Sequence, residues 1–577
     1  MNSNRLWLSR RPQWALPLPA VTRRHFLLLT ALTAAVAAAR PGNASNSDPL
    51  DPDASLEERP LRQTTSWSVE GLPEIQAMAP RIKDTLESTA IELMFHGRRI
   101  HGNSAGQLYA PIFVRDMATI QPAVPYFLSE NFSRTPIEGF LASQERFAAN
   151  PRTQGAVAAT LNIEGIVDKA TAVSDEETSV VHAAFAYFKA YGSTEWLASD
   201  LEGRSVIDRI GDTLAYVWRE RRWGTTNLLF RGHTTDWGDV KREAGPEPTD
   251  LTANDELTAS PFDQAWHYRA LHDYASMLEA LGRDDEATTH YERAAHVRAD
   301  SRKALWQPTR GHYRIHQHLG NGHGSHFDED AIVPISSVLS LFAGLAMPDQ
   351  VPAILDASVR AEEQAGTNRS GISLTPPYPD DFFKSRHMPA WQYQNGGVWD
   401  WWGGLQIVSE FEHGQSDRAI AHLKAASQAW ENADGIHEWY HIPSHSSQGS
   451  DNFAGAAGTM AQAVIRGLFG VDISTNRFQL IPRLGNRNGR LVAARPDGRT
   501  LEITQTVYPS LLFLDIRTNL STIGAVGLRL PNGWSDLIAF VDGRPIEPTR
   551  WRVGSDDYIG GWSISTGTHS VIVARTS

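Results

Sequence analysis

The segment GHTTDWGDV, residues 232–240, sets Asp236 and Asp239 on either side of Trp237 and Gly238. Taken alone, a D-x-x-D step in a loop is a solvated turn or a helix cap. Set beside a second acid in an aromatic-rich loop, it can be half of an acid–base pair. Cleaving a glycosidic bond needs such a pair. One carboxyl gives a proton to the leaving oxygen, and the other, ionised, activates water or attacks carbon. In an inverting enzyme the two stand ~6.5–9.5 Å apart, so different loops supply them. The second candidate loop is GIHEWYHIPSHSSQGSDNFAGAAG, 435–458, where Glu438 lies between His437 and Trp439. A third, VRDM at 114–117, joins Arg115 to Asp116 just ahead of a helix. Neighbouring residues rarely pair with each other, so each of these two has another partner, sugar or protein. A fourth, MPAWQYQNGGVWDWWGG at 388–404, carries Trp391, Trp399, Trp401 and Trp402. An indole offers a flat face to a sugar ring and an N–H to a hydroxyl, although packing between helices uses most tryptophans.

Elements must bring these loops together, and the chain has material for them. It has 577 residues, 41% hydrophobic and 21% charged, a globular composition. The net charge is −13, and outside the N-terminus the basic residues are scattered. That argues against nucleic-acid binding, which needs clustered Lys and Arg. Cysteine is absent, which excludes disulfides, thiolate metal sites and thiol catalysis. No HExxH, GxSxG, P-loop or GxGxxG stands in a convincing context, so no cofactor is expected.

Residues 1–40 read as a signal peptide. Arg23-Arg24-His25-Phe26-Leu27 opens the apolar run FLLLTALTAAVAAA, which ends at Ala39 and falls short of the ~20 residues a membrane span needs. The arginine pair resembles a twin-arginine signal. Export of a folded chain by the Tat machinery to the bacterial periplasm or medium follows, with cleavage near 39–44 and no stable membrane insertion afterwards. Residues 41–71, rich in Pro, Ser and Asp, read as a flexible linker.

From 72 to 472 helical periodicity dominates. In SVVHAAFAYFKAYG, Val180, Ala184, Tyr187, Phe188 and Tyr191 share a face, as do Leu271, Tyr274, Leu278 and Leu281. Further helices are expected near 75–95, 205–221, 285–305, 334–346, 350–365, 397–412, 416–431 and 453–469. Ten to twelve helices joined by long loops, without a fixed-period repeat, suggest helix pairs set in a toroid whose mouth gathers alternate loops. From 473 to 577 the pattern turns to short alternating segments, LEITQTV, LLFLDIR, VGLRLP and SVIVAR, parted by glycine turns. This is a small C-terminal all-β, sandwich-like domain.

Together these motifs resemble the six-hairpin glycosidase clan, whose fold is an (α/α)6 toroid. The resemblance covers about 75–470 through short motifs in order. Trp237-Gly238-Asp239 resembles the W-x-D step of amylo-α-1,6-glucosidases and cellobiose-type phosphorylases, where that aspartate is the general acid. Glu438-Trp439-Tyr440, followed by Pro, Gly and Phe453-Ala-Gly-Ala-Ala-Gly, resembles the pattern of processing-glucosidase and trehalase-like families, where the glutamate is the base. Arg115-Asp116 resembles the step that holds the −1 sugar, and YQNGGVW resembles a segment ahead of the penultimate helices. Trehalase-like enzymes carry S-G-x-D at the acid loop, so the acid is left between Asp239 and Asp236. Many relatives carry an N-terminal β-sandwich where this chain has a C-terminal one.

The resemblance implies an inverting glycoside hydrolase acting on an oligosaccharide or short α-glucoside. Asp239 and Glu438 would be catalytic. Arg115, Asp116, Asp236, Trp237, Trp399, Asn395, Glu177 and Trp439 would bind substrate. Asp175-Glu176-Glu177 opens a helix, where acids favour the positive end of the dipole, so capping competes with binding for Glu177. Phosphorylases of the clan use phosphate in place of activated water, and a base at 438 argues for hydrolysis. A polysaccharide lyase, using Tyr440 or His441 to take a proton, and a non-catalytic sugar-binding protein are the alternatives. The five histidines of HYRIHQHLGNGHGSH, 312–326, fit no metal motif and read as an exposed hairpin. No metal ligand is assigned.

Overall fold

Residues 64–162, 167–245, 247–320, 327–474 and 477–576 are described by a computed structural model. The expected signal peptide and most of the linker, up to 63, lie outside the described residues.

Twelve longer helices carry the first part of the chain: α1 Pro73–Ser88, α2 Val114–Ile120, α3 Glu130–Ala142, α4 Glu176–Tyr191, α5 Val206–Glu220, α6 Pro261–Ala280, α7 Asp284–Ala304, α8 Ile335–Ala343, α9 Val351–Ala365, α10 Asp400–Glu412, α11 Ser416–Asn432 and α12 Ala454–Gln462. The even-numbered helices form a cycle. α2 packs on α4, α4 on α6, α6 on α8, α8 on α10, α10 on α12, and α12 returns to α2. Their composition explains this placement. In α8 and α12 every side chain is buried, and in α10 all but Glu412 are, as helices enclosed on all sides require. The odd-numbered helices pack outside these. α7, with few buried residues, lies along α6, and α1 fits between α11 and α12. Among the described residues no helix is long and apolar enough to cross a membrane.

The expected helix 75–95 is a correction. It stops at Ser88, and Ala90–Phe95 is a strand paired with Arg98–Asn103. The stretch ahead of His96-Gly97 alternates rather than following a 3.6-residue period. Both turn residues take positive φ, 48° and 71°, which suits a tight hairpin.

The C-terminal part is two sheets. One has seven strands, including Thr500–Val507, Leu511–Thr518 and Gly567–Arg575, and the other has five, including Gly524–Arg529 and Asp556–Ile564. The expected linker 41–71 is corrected at its end. Ser66–Val69 is an edge strand of the seven-stranded sheet, antiparallel to Gly489–Ala494, with Trp67 opposite Leu491. The run SWSV alternates half-buried and buried positions, which a strand covering one sheet face needs. Arg529 and Asp556 of the β part close on the start of α11. Arg529 pairs with Asp417 at 3.1 Å and Asp556 at 2.8 Å, and the Ser416 N–H donates to Asp556 at 3.2 Å.

Candidate active site

The acid loop leaves the strand Arg231–Gly232 and is pinched at its base, where the Arg242 N–H donates to the His233 carbonyl at 2.7 Å. Inside the pinch, Thr234, Thr235, Asp236 and Trp237 are all buried, and Asp239 alone is partly open. Gln394 Nε2 donates to Asp239 Oδ1 at 2.7 Å. Gly238 permits that contact. A Cβ there would sit 2.4 Å from both the Gln394 Oε1 and the Thr235 Oγ1, closer than atoms tolerate.

Glu438 stands at the foot of a hairpin whose strands are Trp439–His441 and Ser446–Gln448. That hairpin is tied to the tryptophan-rich loop by paired bonds between Tyr440 and Val398, 2.8 and 3.0 Å. The carboxyl accepts the Ser450 N–H at 2.9 Å and the Tyr109 hydroxyl at 3.0 Å from either oxygen. Gly449, at φ 75°, also leaves room for it, since a Cβ there would lie 2.4 Å from Glu438 Oε2.

Asp239, Glu438 and Asp116 share one electrostatic neighbourhood. Burial is the main cause that raises the Glu438 pKa above the usual carboxylate range. Its bonds to Ser450 and Tyr109, and the charge of Arg386, oppose this, while Asp239 adds to it. Asp116, 8% exposed, is pushed up to about 7, first by burial, with Arg115 opposing and Glu438 and Asp239 adding. The Tyr109 and Tyr393 hydroxyls are raised by burial and by the charges of both Glu438 and Asp239. Arg115 does not pair with its neighbour. It clamps Asp175 with two bonds of 2.6 and 2.9 Å, and Asp116 Oδ1 is buried with no protein partner. A buried acceptor of that kind is costly unless something fills it. Trp439, half-buried, meets the edge of Tyr393 at 6.1 Å.

The structure therefore brings Asp239, Glu438, Asp116, Arg115 and Trp439 together. It assigns the other expected binders elsewhere. Trp237 and Trp399 are 1% and 2% exposed. Trp237 meets Trp399, Trp401 and Trp402 edge-on at 4.8, 6.1 and 5.2 Å. Truncating a buried aromatic of this kind costs about 3–5 kcal/mol, so these rings hold the loops and offer no face to a ligand. Asn395 spends its amide on the chain, donating to the Tyr378 and Met388 carbonyls and accepting the Tyr378 N–H. Glu177 accepts the Val157 N–H and the Lys169 ammonium. It is a structural ion pair.

Asp236 lies beneath the loop, fully buried, at φ 61°. It accepts the Ser336 N–H at 3.1 Å. Burial pushes its pKa up to about 7, against ~3.9 in an unfolded chain. An acid whose folded pKa is raised loses stability as pH climbs between those two values. Replacing Asp236 by Asn is therefore expected to leave the melting temperature nearly unchanged near pH 4. From pH 4 to 8 the variant should become progressively more stable than the native chain, by up to a few kcal/mol. Thermal melts across that range check this. A constant offset would deny that Asp236 carries the cost.

Sequence reasoning missed Tyr109, Gln394, Tyr393 and Arg386. Tyr109 stands six residues ahead of Arg115 in an aromatic stretch, LYAPIFVRD, and Gln394 is next to the residue chosen. Tyr440 and His441 do not support the lyase alternative. Burial first and the Asp400 charge second raise the Tyr440 pKa, with Arg369 opposing, and His441 bonds Ser444. The histidines of 312–318 are a further correction. His312 and His316 are buried and His318 is half-buried, so these three are not exposed, and His323 and His326 lie outside the described residues.

No protein-family profile and no curated protein matches the sequence. Solved structures do match. The alpha-L-rhamnosidase from Dictyoglumus thermophilum superposes with a TM-score of 0.56 at 10% identity, over 89% of this chain and 51% of its own. The Streptomyces avermitilis alpha-L-rhamnosidase complexed with L-rhamnose gives 0.57 at 14%, over 88% and 42%. The fold is shared with alpha-L-rhamnosidases. A GH78 family rhamnosidase of Bacillus sp. GL1 gives 0.56 at 13%, over 82% and 43%. The chain spans about half the length of these structures or less. They are glycoside hydrolases of the broad kind the motifs resemble, and the narrower likeness to amylo-glucosidases and trehalase-like enzymes rests on the motifs alone.

Proposed function

We propose that this chain is an inverting glycoside hydrolase built on an (α/α)6 toroid with a C-terminal β-sandwich. The observation that carries the proposal is that Tyr109, bonded to Glu438 at 3.0 Å, lies in the fields of Glu438, Asp116 and Asp239 together, and Tyr393 in those of Asp239 and Glu438. Asp239 is the proton donor, because it is the one carboxyl of its loop that is not sealed from solvent. Asp236, sealed, positions the loop. Glu438 is the base, with Tyr109 and Ser450 fixing the carboxyl that takes a proton from water. Asp116, whose buried Oδ1 has no protein partner, holds a sugar hydroxyl, and Arg115 and Asp175 hold Asp116's helix in place. Trp439 and Tyr393 line the sugar's side.

The motif resemblance favours a short α-glucoside. The fold shared with rhamnosidases favours an α-L-rhamnoside as the second reading. The twin-arginine-like segment supports action outside the cytoplasm, in the periplasm or medium. A screen of oligosaccharides and aryl α-glycosides, with products followed by NMR, tests activity and mechanism together. The expected result is release of the β-anomer from an α-linked substrate. Initial release of the α-anomer would reassign Glu438 as a nucleophile, and no turnover of any glycoside would leave the sugar-binding alternative.

A further inference from the structure

A second constellation lies at the base of the acid loop, built by a three-stranded sheet in the order Gln317–His318, Leu257–Ala259, Arg231–Gly232. In its register Leu257 is opposite Gly232, and Thr258 is opposite both Arg231 and His318. His233 and Glu256 extend the first of these pairings by one residue. Side chains of a strand alternate faces, so Glu256, Thr258, His318 and His233 fall on one side. Glu329, from the short turn Glu329–Ala331, arrives over that side.

The four polar side chains close a square. Glu256 takes the two Nδ1 atoms, His233 at 3.0 Å and His318 at 2.8 Å. Glu329 faces the two Nε2 atoms, His233 at 3.1 Å and His318 at 2.5 Å. A neutral imidazole carries one N–H and one lone pair. If Glu256 accepts from both Nδ1–H groups, both Nε2 lone pairs point at an anion. Among the described residues the two imidazoles are the only ion-pair partners of Glu329. The Tyr378 hydroxyl donates to its Oε1 at 3.0 Å. A proton on each Nε2 or a single cation between the Nε2 atoms and Glu329 resolves this, and one divalent ion does so for both imidazoles at once. A carboxylate on the far nitrogen of each ligating histidine is the support that metal-bound imidazoles ordinarily have.

We propose that His233 Nε2, His318 Nε2 and the Glu329 carboxylate form a binding site for a divalent metal ion of the zinc class, with Glu256 orienting both histidines. Their ligand atoms lie within 4.8 Å of one another. The donor separations to Glu329 fall inside the ~4 Å that bonds of ~2.0–2.1 Å can bridge. Two imidazoles and a carboxylate are a zinc ligand set, one that non-haem iron(II) also uses. The site is structural. It clamps the start of the loop that ends in Asp239. Through Tyr378, whose backbone is bonded on both sides by Asn395, it also braces the residue next to Gln394.

The test uses the full chain, purified without a histidine tag, stripped with a chelator and returned to Zn2+. After desalting, about one zinc per chain is expected by mass spectrometry of the metal, with the melting temperature raised by several degrees. Co2+ in place of Zn2+ should give the visible spectrum of a nitrogen- and oxygen-ligated ion. His318→Ala and Glu329→Gln should each lose the metal, while His569→Ala, in the β part, keeps it. None of these readouts depends on the hydrolase reading. If either variant fails to fold, the stoichiometry and cobalt spectrum of the native chain decide. Native protein that retains no zinc and melts identically with and without it would overturn the proposal in favour of two imidazolium ions in the square. Full zinc retention by a folded His318→Ala chain would also overturn it.

Discussion

Glutamine at position 438 is expected to abolish turnover of an α-glycoside while leaving the fold intact. The native carboxyl is held by Ser450 N–H and Tyr109 O–H, both donors. An amide oxygen in the Oε2 position can accept both bonds but the amide cannot take a proton from water, so the loss should fall in kcat, by about 10²–10⁴-fold. Burial already disfavours the charge on Glu438, so the neutral isostere should not lower the melting temperature. Azide needs no deprotonation, and it should restore turnover by yielding the β-glycosyl azide from an α-linked substrate. Unchanged hydrolysis by Glu438→Gln would remove the base assignment, and loss without azide rescue would point to a positioning role.

Asparagine at 239 should produce a different signature. Its side-chain oxygen can still accept from Gln394 Nε2, the contact that holds the native side chain, so geometry should survive. What is lost is the proton for the leaving oxygen. Substrates with poor leaving groups should slow by about 10²–10⁴-fold, whereas an activated aryl glycoside, which departs unassisted, should keep most of its rate. A plot of kcat against leaving-group acidity should therefore steepen in Asp239→Asn. Equal loss on every substrate would move the acid role to another residue. Asp236→Asn should show no such leaving-group dependence.

How much of this was legible in the sequence depends on which physical rule each residue obeys. The helices around Val180 and Leu271 could be read because their large apolar residues recur at helical spacing. The strands from Thr500 onward could be read because half-buried strands alternate. Ser66–Val69 could not, because four residues in a Pro- and Ser-rich neighbourhood acquire their structure from Gly489–Ala494, far along the chain. The acids of the site stood out by their aromatic company. That company misled about Trp237 and Trp399, since an indole beside a carboxyl in sequence can turn away from it in space. Gln394 and Asn395 show the same limit. They are adjacent, and only the folded turn decides that one reaches Asp239 and the other spends its amide on the backbone. The spacing of the histidines went unused. His316 and His318 are two apart, and their rings come within 6.1 Å of each other.

The edge strand at Ser66–Val69 also constrains how the molecule can be made. Thr65 donates its hydroxyl to the Ala494 carbonyl, a contact spanning 429 positions. During synthesis on the ribosome, the segment that precedes α1 waits for a partner that is translated near the end. Pairings of such long sequence separation form slowly. Termination before Gly489 would leave Ser66–Val69 without the strand it pairs with.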